Sequence, residues 1–223
     1  MLFSKTAADG TNHVRVKICG LTREDDVVAV TDAGADAVGF VCHPGSSRFV
    51  PPTRLMSLAC LVPESVTKVL VFVNPTAEEV REYLAFFPDA TLQFHGTESR
   101  AFCDQFHVPY LKSVHFDRPD RLMAGQVNYP WAAGLLADAK SDTWSGTAPG
   151  IDWEEAARVR QKITKPLLVA GGLKENNVIQ AIKLLRPWAV DVLAGVEAAR
   201  GIKDMAKVNA FMQAVRRASE QNG

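Results

Sequence analysis

Short apolar runs rich in Val, Ile and Leu recur along the chain, each followed by a segment whose apolar residues return every three or four positions. The first kind reads as a strand buried on both faces, the second as an amphipathic helix. The predicted strands are Val14–Cys19, Ala37–Val41, Thr67–Val73, Thr91–His95, Pro109–His115, Gly134–Asp138, Pro166–Ala170 and Ala189–Ala194. The helices that follow them are Arg23–Asp32, Thr53–Leu61, Ala77–Phe86, Glu98–Phe106, a weaker Pro119–Ala124, Trp153–Ile163, Glu175–Leu185 and Asp204–Ala218. Asn74-Pro75-Thr76 supplies a start signal for the third helix. Strand starts recur about every 25 residues. Eight β-then-α units imply a parallel sheet with helices packed outside it, and their number fits an α/β fold of the (β/α)8 TIM-barrel type. A doubly wound open sheet is the competitor, but it usually has fewer strands, and no GxGxxG follows the first strand. The predicted organisation is a loose polar tail over residues 1–13 and one barrel domain over residues 14–223.

The first strand breaks the apolar pattern. Side chains alternate faces along a strand, so Lys17 and Cys19 share one side and Val16 and Ile18 the other. The same parity puts Gln93 and His95 together on the fourth strand, Leu136 and Asp138 on the sixth, and Asp191 between Val190 and Val192 on the eighth. If the apolar faces meet the helices, the polar set points into the barrel. All but Lys17 and Asp191 then lie at the C-terminal rim, where barrel enzymes keep their catalytic groups. Strands one and eight are neighbours in a closed barrel, so Lys17 and Asp191 are expected to pair as buried charges must. That pair is read as structural, with direct contact to substrate as the alternative. Glycine turns follow strands seven and eight, Ala170-Gly171-Gly172-Leu173 and Ala194-Gly195-Val196-Glu197. Exposed main-chain N–H groups in these two loops form the common phosphate site of such barrels.

Composition narrows the function. The 223 residues are 47% hydrophobic and 22% charged with formal net charge zero, which argues against nucleic acid or an anionic membrane as the main partner. No apolar run approaches the length needed to span a bilayer, and the polar start has no signal-peptide pattern. The four cysteines, Cys19, Cys42, Cys60 and Cys103, form no CxxC motif, so reduced thiols in the cytoplasm are expected and no metal site. No surface feature marks an oligomer, and a monomer is expected.

The residues at the strand ends carry a family resemblance. Lys17-Ile18-Cys19-Gly20-Leu21-Thr22, Gly39-Phe40-Val41 with Ser47-Arg48-Phe49-Val50, Leu92-Gln93-Phe94-His95-Gly96, Leu136-Ala137-Asp138, Ile151-Asp152-Trp153, Ala170-Gly171-Gly172-Leu173 with Asn177-Val178, and Val190-Asp191-Val192 through Gly195-Val196-Glu197 to Gly201-Ile202-Lys203-Asp204 occur in order. From about Val14 to the C-terminus the chain resembles phosphoribosylanthranilate isomerase of tryptophan biosynthesis. The resemblance implies an Amadori rearrangement of a phosphorylated aminoaldose to an aminoketose, with no cofactor and no metal. It implies Cys19 as general base and Asp138 as general acid, Arg48 near the anthranilate carboxylate, and Gln93 and His95 in the pocket wall. Gly146, Thr147, Gly171, Gly172 and Gly195 are implied as the phosphate site. Lys17, below Cys19 on the same face, is positioned to lower the thiol pKa.

The chain departs from the family pattern after strand six. Ser145 and Ala148 stand where the resembled family has glycine, and Ile151 stands where it has phenylalanine. Ala194 replaces a serine, and the lysine often found ahead of Arg48 is missing. The expectation is weaker phosphate binding, read as a KM above that of a relative with the full glycine loop. Two other readings compete. One is a histidine-pathway or bifunctional phosphosugar isomerase, disfavoured because strand one ends in Cys19 and strand five has no acid. The other is a non-catalytic phosphate-binding barrel, disfavoured by the presence of both Cys19 and Asp138.

Overall fold

The computed structural model describes residues 13–139 and 153–220. Eight parallel strands close into a barrel in sequence order: β1 (Arg15–Cys19), β2 (Ala37–Val41), β3 (Thr67–Phe72), β4 (Thr91–Phe94), β5 (Tyr110–His115), β6 (Gly134–Asp138), β7 (Leu167–Ala170) and β8 (Ala189–Val192). The helices between and after them are α1 (Glu24–Asp32), α2 (Pro52–Ala59), α3 (Ala77–Phe86), α4 (Arg100–Asp104), α5 (Asp120–Asn128), α6 (Trp153–Lys162), α7 (Val178–Leu185) and α8 (Met205–Glu220). No described helix is long and apolar enough to cross a membrane. The tail over residues 1–12 and the loop carrying Ser145, Gly146, Thr147 and Ala148 lie outside the described residues.

The parity reading of the strands holds. Ile18, Val38, Leu92, Phe94, Leu135, Ala137, Val169, Val190 and Val192 belong to the layer between sheet and helices. Cys19, Ala37, Val69, Val71, Leu111, Leu136, Leu168, Ala170 and Ala189 form a second cluster inside the barrel. With both faces covered, β2 is buried along its whole length. Phe94 packs edge-on against Phe102 and Tyr110 and stacks on Phe106, which seats α4 on the sheet. Phe94 and Tyr110 are buried, each worth about 1.5–3 kcal/mol by removal from water, while Phe102 and Phe106 are partly buried and contribute less.

Besides shifts of one or two residues at element ends and an α5 that runs to Asn128 rather than Ala124, three elements depart from the prediction. Helix α4 begins at Arg100 rather than Glu98, because the Glu98 side chain is drawn into an ion pair with Lys112. Ser99 takes the N-cap instead, accepting from the Phe102 N–H. Helix α7 begins at Val178 rather than Glu175, because Asn177 Oδ1 accepts the Lys174 N–H and turns the chain first. After β8, a 3-10 turn over Ala194–Val196 leads into a small antiparallel hairpin, β9 (Glu197–Ala199) and β10 (Ile202–Lys203), which the pattern did not indicate.

Candidate active site

Strands β1 and β8 pair in parallel with Lys17 opposite Asp191. Their side chains meet inside the barrel, Lys17 Nζ donating to Asp191 Oδ2 at 2.8 Å, with Lys17 fully buried and Asp191 7% exposed. Burial opposes the Lys17 charge, but Asp191 and the Cys19 sulfur outweigh it and hold the ammonium above its ordinary range. One layer up, at the end of β1, Cys19 is buried at 4% exposure. A Cβ on Gly39 of β2 would lie 2.6 Å from Cys19 Sγ and 3.1 Å from Lys17 Nζ, so only glycine there leaves room for both groups.

The expectation that Lys17 lowers the thiol pKa is met in sign but not in outcome. Burial pushes the Cys19 thiol up, the Lys17 ammonium pulls it down, Asp191 pushes it up again, and the net direction is upward. In the free protein Cys19 is therefore a neutral thiol. This gives a direct check: at mildly alkaline pH, iodoacetamide should label the exposed Cys60 first, with Cys19 and the other buried thiols much slower. Equal labelling rates at Cys19 and Cys60, read by peptide mass spectrometry, would contradict it. Cys42 and Cys103 are also buried, and burial raises both thiols, Cys103 to about 12.

Asp138 ends β6 and is about one-third exposed at the rim. His95, just past β4, bridges two of the expected residues: its Nδ1 lies 3.1 Å from Gln93 Nε2 and its Nε2 lies 3.0 Å from Asp138 Oδ2. Gln93 is buried, so the imidazole is fixed from below and in turn fixes the carboxylate. Sequence parity had turned all three into the barrel; the structure connects them.

Arg48, in the loop after β2, is not a free fork. Its Nε donates to Glu197 Oε1 at 2.7 Å and its Nη2 donates to Glu197 Oε2. The turns after β7 and β8 differ in what they need from glycine. Gly171 and Gly172 take positive φ of 84° and 62°. Gly195 does not; it is required because a Cβ there would sit 1.8 Å from the Leu173 carbonyl oxygen. A Cβ on Gly171 would meet the Ala139 carbonyl oxygen at 1.8 Å and Asp138 Oδ1 at 2.6 Å. Gly171→Ala should therefore cost at least about 1–3 kcal/mol and disturb Asp138, which urea unfolding and a kcat measurement would both register.

Some functional-looking residues carried no role in the sequence reading. Lys112, on the outward face of β5, donates to the carbonyls of Phe94 at 3.2 Å and Gly96 at 2.7 Å and to Glu98 Oε2 at 2.8 Å. Glu98 Oε1 accepts the N–H groups of Asn74 and Gly96. This buried pair clamps the main chain on both sides of His95. Its signal was a lysine inside an apolar strand, but its partner, fourteen residues earlier, was read as the start of a helix. Glu197 and Lys203 were visible within the last quoted motif, without an assigned purpose. Among the described residues no group of three His, Cys, Asp or Glu side chains is arranged to hold a metal.

A closed (β/α)8 barrel with a thiol, a carboxylate and a histidine at its C-terminal rim, above a buried ammonium–carboxylate pair, defines an acid–base barrel enzyme. Residues 16–214 match the family model for N-(5'phosphoribosyl)anthranilate (PRA) isomerase. The chain is 44% identical over 208 residues to N-(5'-phosphoribosyl)anthranilate isomerase of Pseudomonas fluorescens strain Pf-5, covering 93% of this chain and 98% of the relative. It superposes on phosphoribosyl anthranilate isomerase from Thermotoga maritima with a TM-score of 0.81 at 33% identity, covering 92% of this chain and 99% of the other. A crystal structure of the isomerase with reduced 1-(o-carboxyphenylamino)-1-deoxyribulose 5-phosphate matches with a TM-score of 0.80 at 32% identity, covering 92% and 99%. The chain belongs to the phosphoribosylanthranilate isomerase family.

Proposed function

We propose that this chain converts N-(5-phosphoribosyl)anthranilate to 1-(2-carboxyphenylamino)-1-deoxyribulose 5-phosphate in tryptophan biosynthesis. Asp138 acts as the acid, protonating the ribose ring oxygen as the ring opens to an iminium at C1'. Cys19 acts as the base, removing the C2' proton to leave an enolamine that tautomerises to the ketone. The observation that carries this reading is the placement of a thiol backed by an ammonium and a carboxylate held by histidine at two strand ends of one rim. The raised thiol pKa fits a base that is charged only when needed. The iminium brings a cation beside Cys19, and Lys17 then has a thiolate to stabilise.

Asp138 carries the opposite requirement, and its contact with His95 orients it toward the ring oxygen. Arg48 faces the anthranilate carboxylate, a role suited to a planar fork. Gly171, Gly172 and Gly195 present main chain to the phosphate, joined by Gly146 and Thr147 of the loop outside the described residues. Lys17 and Asp191 form the structural pair beneath the base. The histidine-pathway alternative gains no support from β5, whose inward residues Leu111, Ser113 and His115 include no acid. The same reading makes the chain a cytoplasmic monomer. Among the described residues the exposed large apolar side chains are Val28, Met56, Leu61, Phe86, Val127, Trp131 and Ile202. Apart from Val127 and Trp131, at and just past the end of α5, they are spread over α1, α2 and its end, α3 and β10, which supports the monomer.

The test is turnover by the purified chain of substrate formed in situ from anthranilate and ribose 5-phosphate, with product followed chromatographically. Formation of the carboxyphenylamino-deoxyribulose phosphate is expected. Absence of turnover, with the chain folded, would overturn the assignment.

A further inference from the structure

Glu197 and Lys203, in the hairpin after β8, form a charged junction with Arg48, and the proposed chemistry gives neither of them a role. Arg48 has two faces on which it can bind a carboxylate with two parallel bonds, one through Nε and Nη2 and one through Nη1 and Nη2. Glu197 occupies the first. Within the described residues Nη1 donates no hydrogen bond, so the second face is the one Arg48 can turn to a ligand. Arg48 itself is only 17% exposed, and its Cδ rests against the Cα of Gly20, where an added Cβ would meet it at 2.9 Å. The two parallel bonds to Glu197 hold the guanidinium in one orientation, with the Arg48 stem beside the end of β1.

A single guanidinium shared between two carboxylates would be a poor anion receptor. Lys203 corrects the balance. Its ammonium is fully buried and lies 3.5 Å from Glu197 Oε1, while it donates to the Cys19 carbonyl at 2.7 Å and the Leu193 carbonyl at 3.1 Å. The Gly201 N–H also donates to Glu197 Oε1 at 3.1 Å, and the Lys207 ammonium caps the Glu197 carbonyl at 2.8 Å. The main-chain N–H of Lys203 is fixed by Asp26 of α1 at 3.0 Å. Burial works against the Glu197 charge, and Arg48 with Lys203 holds its carboxyl below the usual range all the same. Burial pulls the Lys203 ammonium below its ordinary range while Glu197 opposes the fall, so Arg48 and the protonated Lys203 together face the one carboxylate they both contact, Glu197.

We propose that Glu197 is a positioning residue that presents the Nη1–Nη2 face of Arg48 to the carboxylate end of the substrate, with Lys203 as the buried cation that neutralises Glu197 and ties it to the strand ends bearing Cys19 and Leu193. Glu197 and Lys203 touch no substrate atom; they act through Arg48. The proposal rests on the substrate assigned above and adds the device that selects its carboxylate.

The test is calorimetric binding of two stable ligands, reduced 1-(o-carboxyphenylamino)-1-deoxyribulose 5-phosphate and its counterpart lacking the ring carboxylate. The proteins are wild type, Glu197→Gln, Arg48→Met and the double variant, each checked for folding by circular dichroism. Wild type is expected to favour the carboxylated ligand. In Glu197→Gln the carboxylated ligand should weaken at least about fivefold while the other changes by less than about twofold. In the Arg48→Met background the Glu197→Gln change should add nothing. Should Glu197→Gln not fold, Glu197→Asp keeps the charge but reaches one guanidinium nitrogen only, and should lower the same preference. Equal weakening of both ligands would mark a merely structural role. Tighter binding of the carboxylated ligand would mean Glu197 competes with substrate; either result overturns the proposal. Wild type binding neither ligand would overturn the substrate assignment, and the proposal with it.

Discussion

Replacing Cys19 by serine should lower kcat by about 10²–10⁴-fold while KM stays within a few-fold of wild type. The hydroxyl fits where the thiol sat, because Gly39 already leaves the space open. What is lost is acidity: no anion forms on serine near neutral pH, even with the Lys17 ammonium beneath it. Asp138→Asn should fall by a similar factor for the complementary reason. The amide keeps a hydrogen-bonding contact with His95 at the 3.0 Å position, but its N–H groups are far too weakly acidic to transfer a proton to a ring oxygen. Steady-state kinetics on both variants checks this, and near-wild-type kcat in either one contradicts the assigned role.

Lys17→Met should be the most damaging single change for stability. The lysine is fully buried, and its one carboxylate partner is 7% exposed. Asp191 Oδ1 is already buried without a partner among the described residues, so Asp191 depends on Lys17 through its other oxygen. Removing the cation leaves an uncompensated carboxylate inside the barrel, at a cost of about 3–5 kcal/mol. Lys17→Met combined with Asp191→Leu should recover much of that loss, since no charge is left stranded. The pH dependence follows from the direction of the shift. Lys17 is held above its ordinary range, so the pair's contribution is complete at neutral pH and is lost only as pH rises through the raised value. Urea unfolding of the single and double variants near neutral pH measures both effects.

The strand alternation made the barrel and its inner face legible. Period-two parity placed Lys17, Cys19, Gln93, His95, Asp138 and Asp191 on the inside, and the β1–β8 register sets Lys17 opposite Asp191 as that reading required. Parity could not weigh opposing terms at one atom. It put a lysine under the thiol but could not show that burial at 4% exposure outweighs it. Nor could it find partners across elements. Arg48 and Glu197 are 149 residues apart and Lys203 and Cys19 are 184 apart, so their meeting depends on barrel closure rather than on any local pattern. The β9–β10 hairpin escaped for a simpler cause. Its strands are three and two residues long, too short to show alternation, and only the positive φ of Gly201, 80°, marks the turn.

The central claim is that Cys19 removes the C2' proton and Asp138 does not. Single-turnover reaction of substrate carrying deuterium at C2' tests it directly. In wild type the label should be lost with a primary isotope effect on product formation. In Cys19→Ser it should be retained in the recovered carbohydrate for as long as product fails to form. Loss of the C2' label from Cys19→Ser at the wild-type rate would contradict the claim.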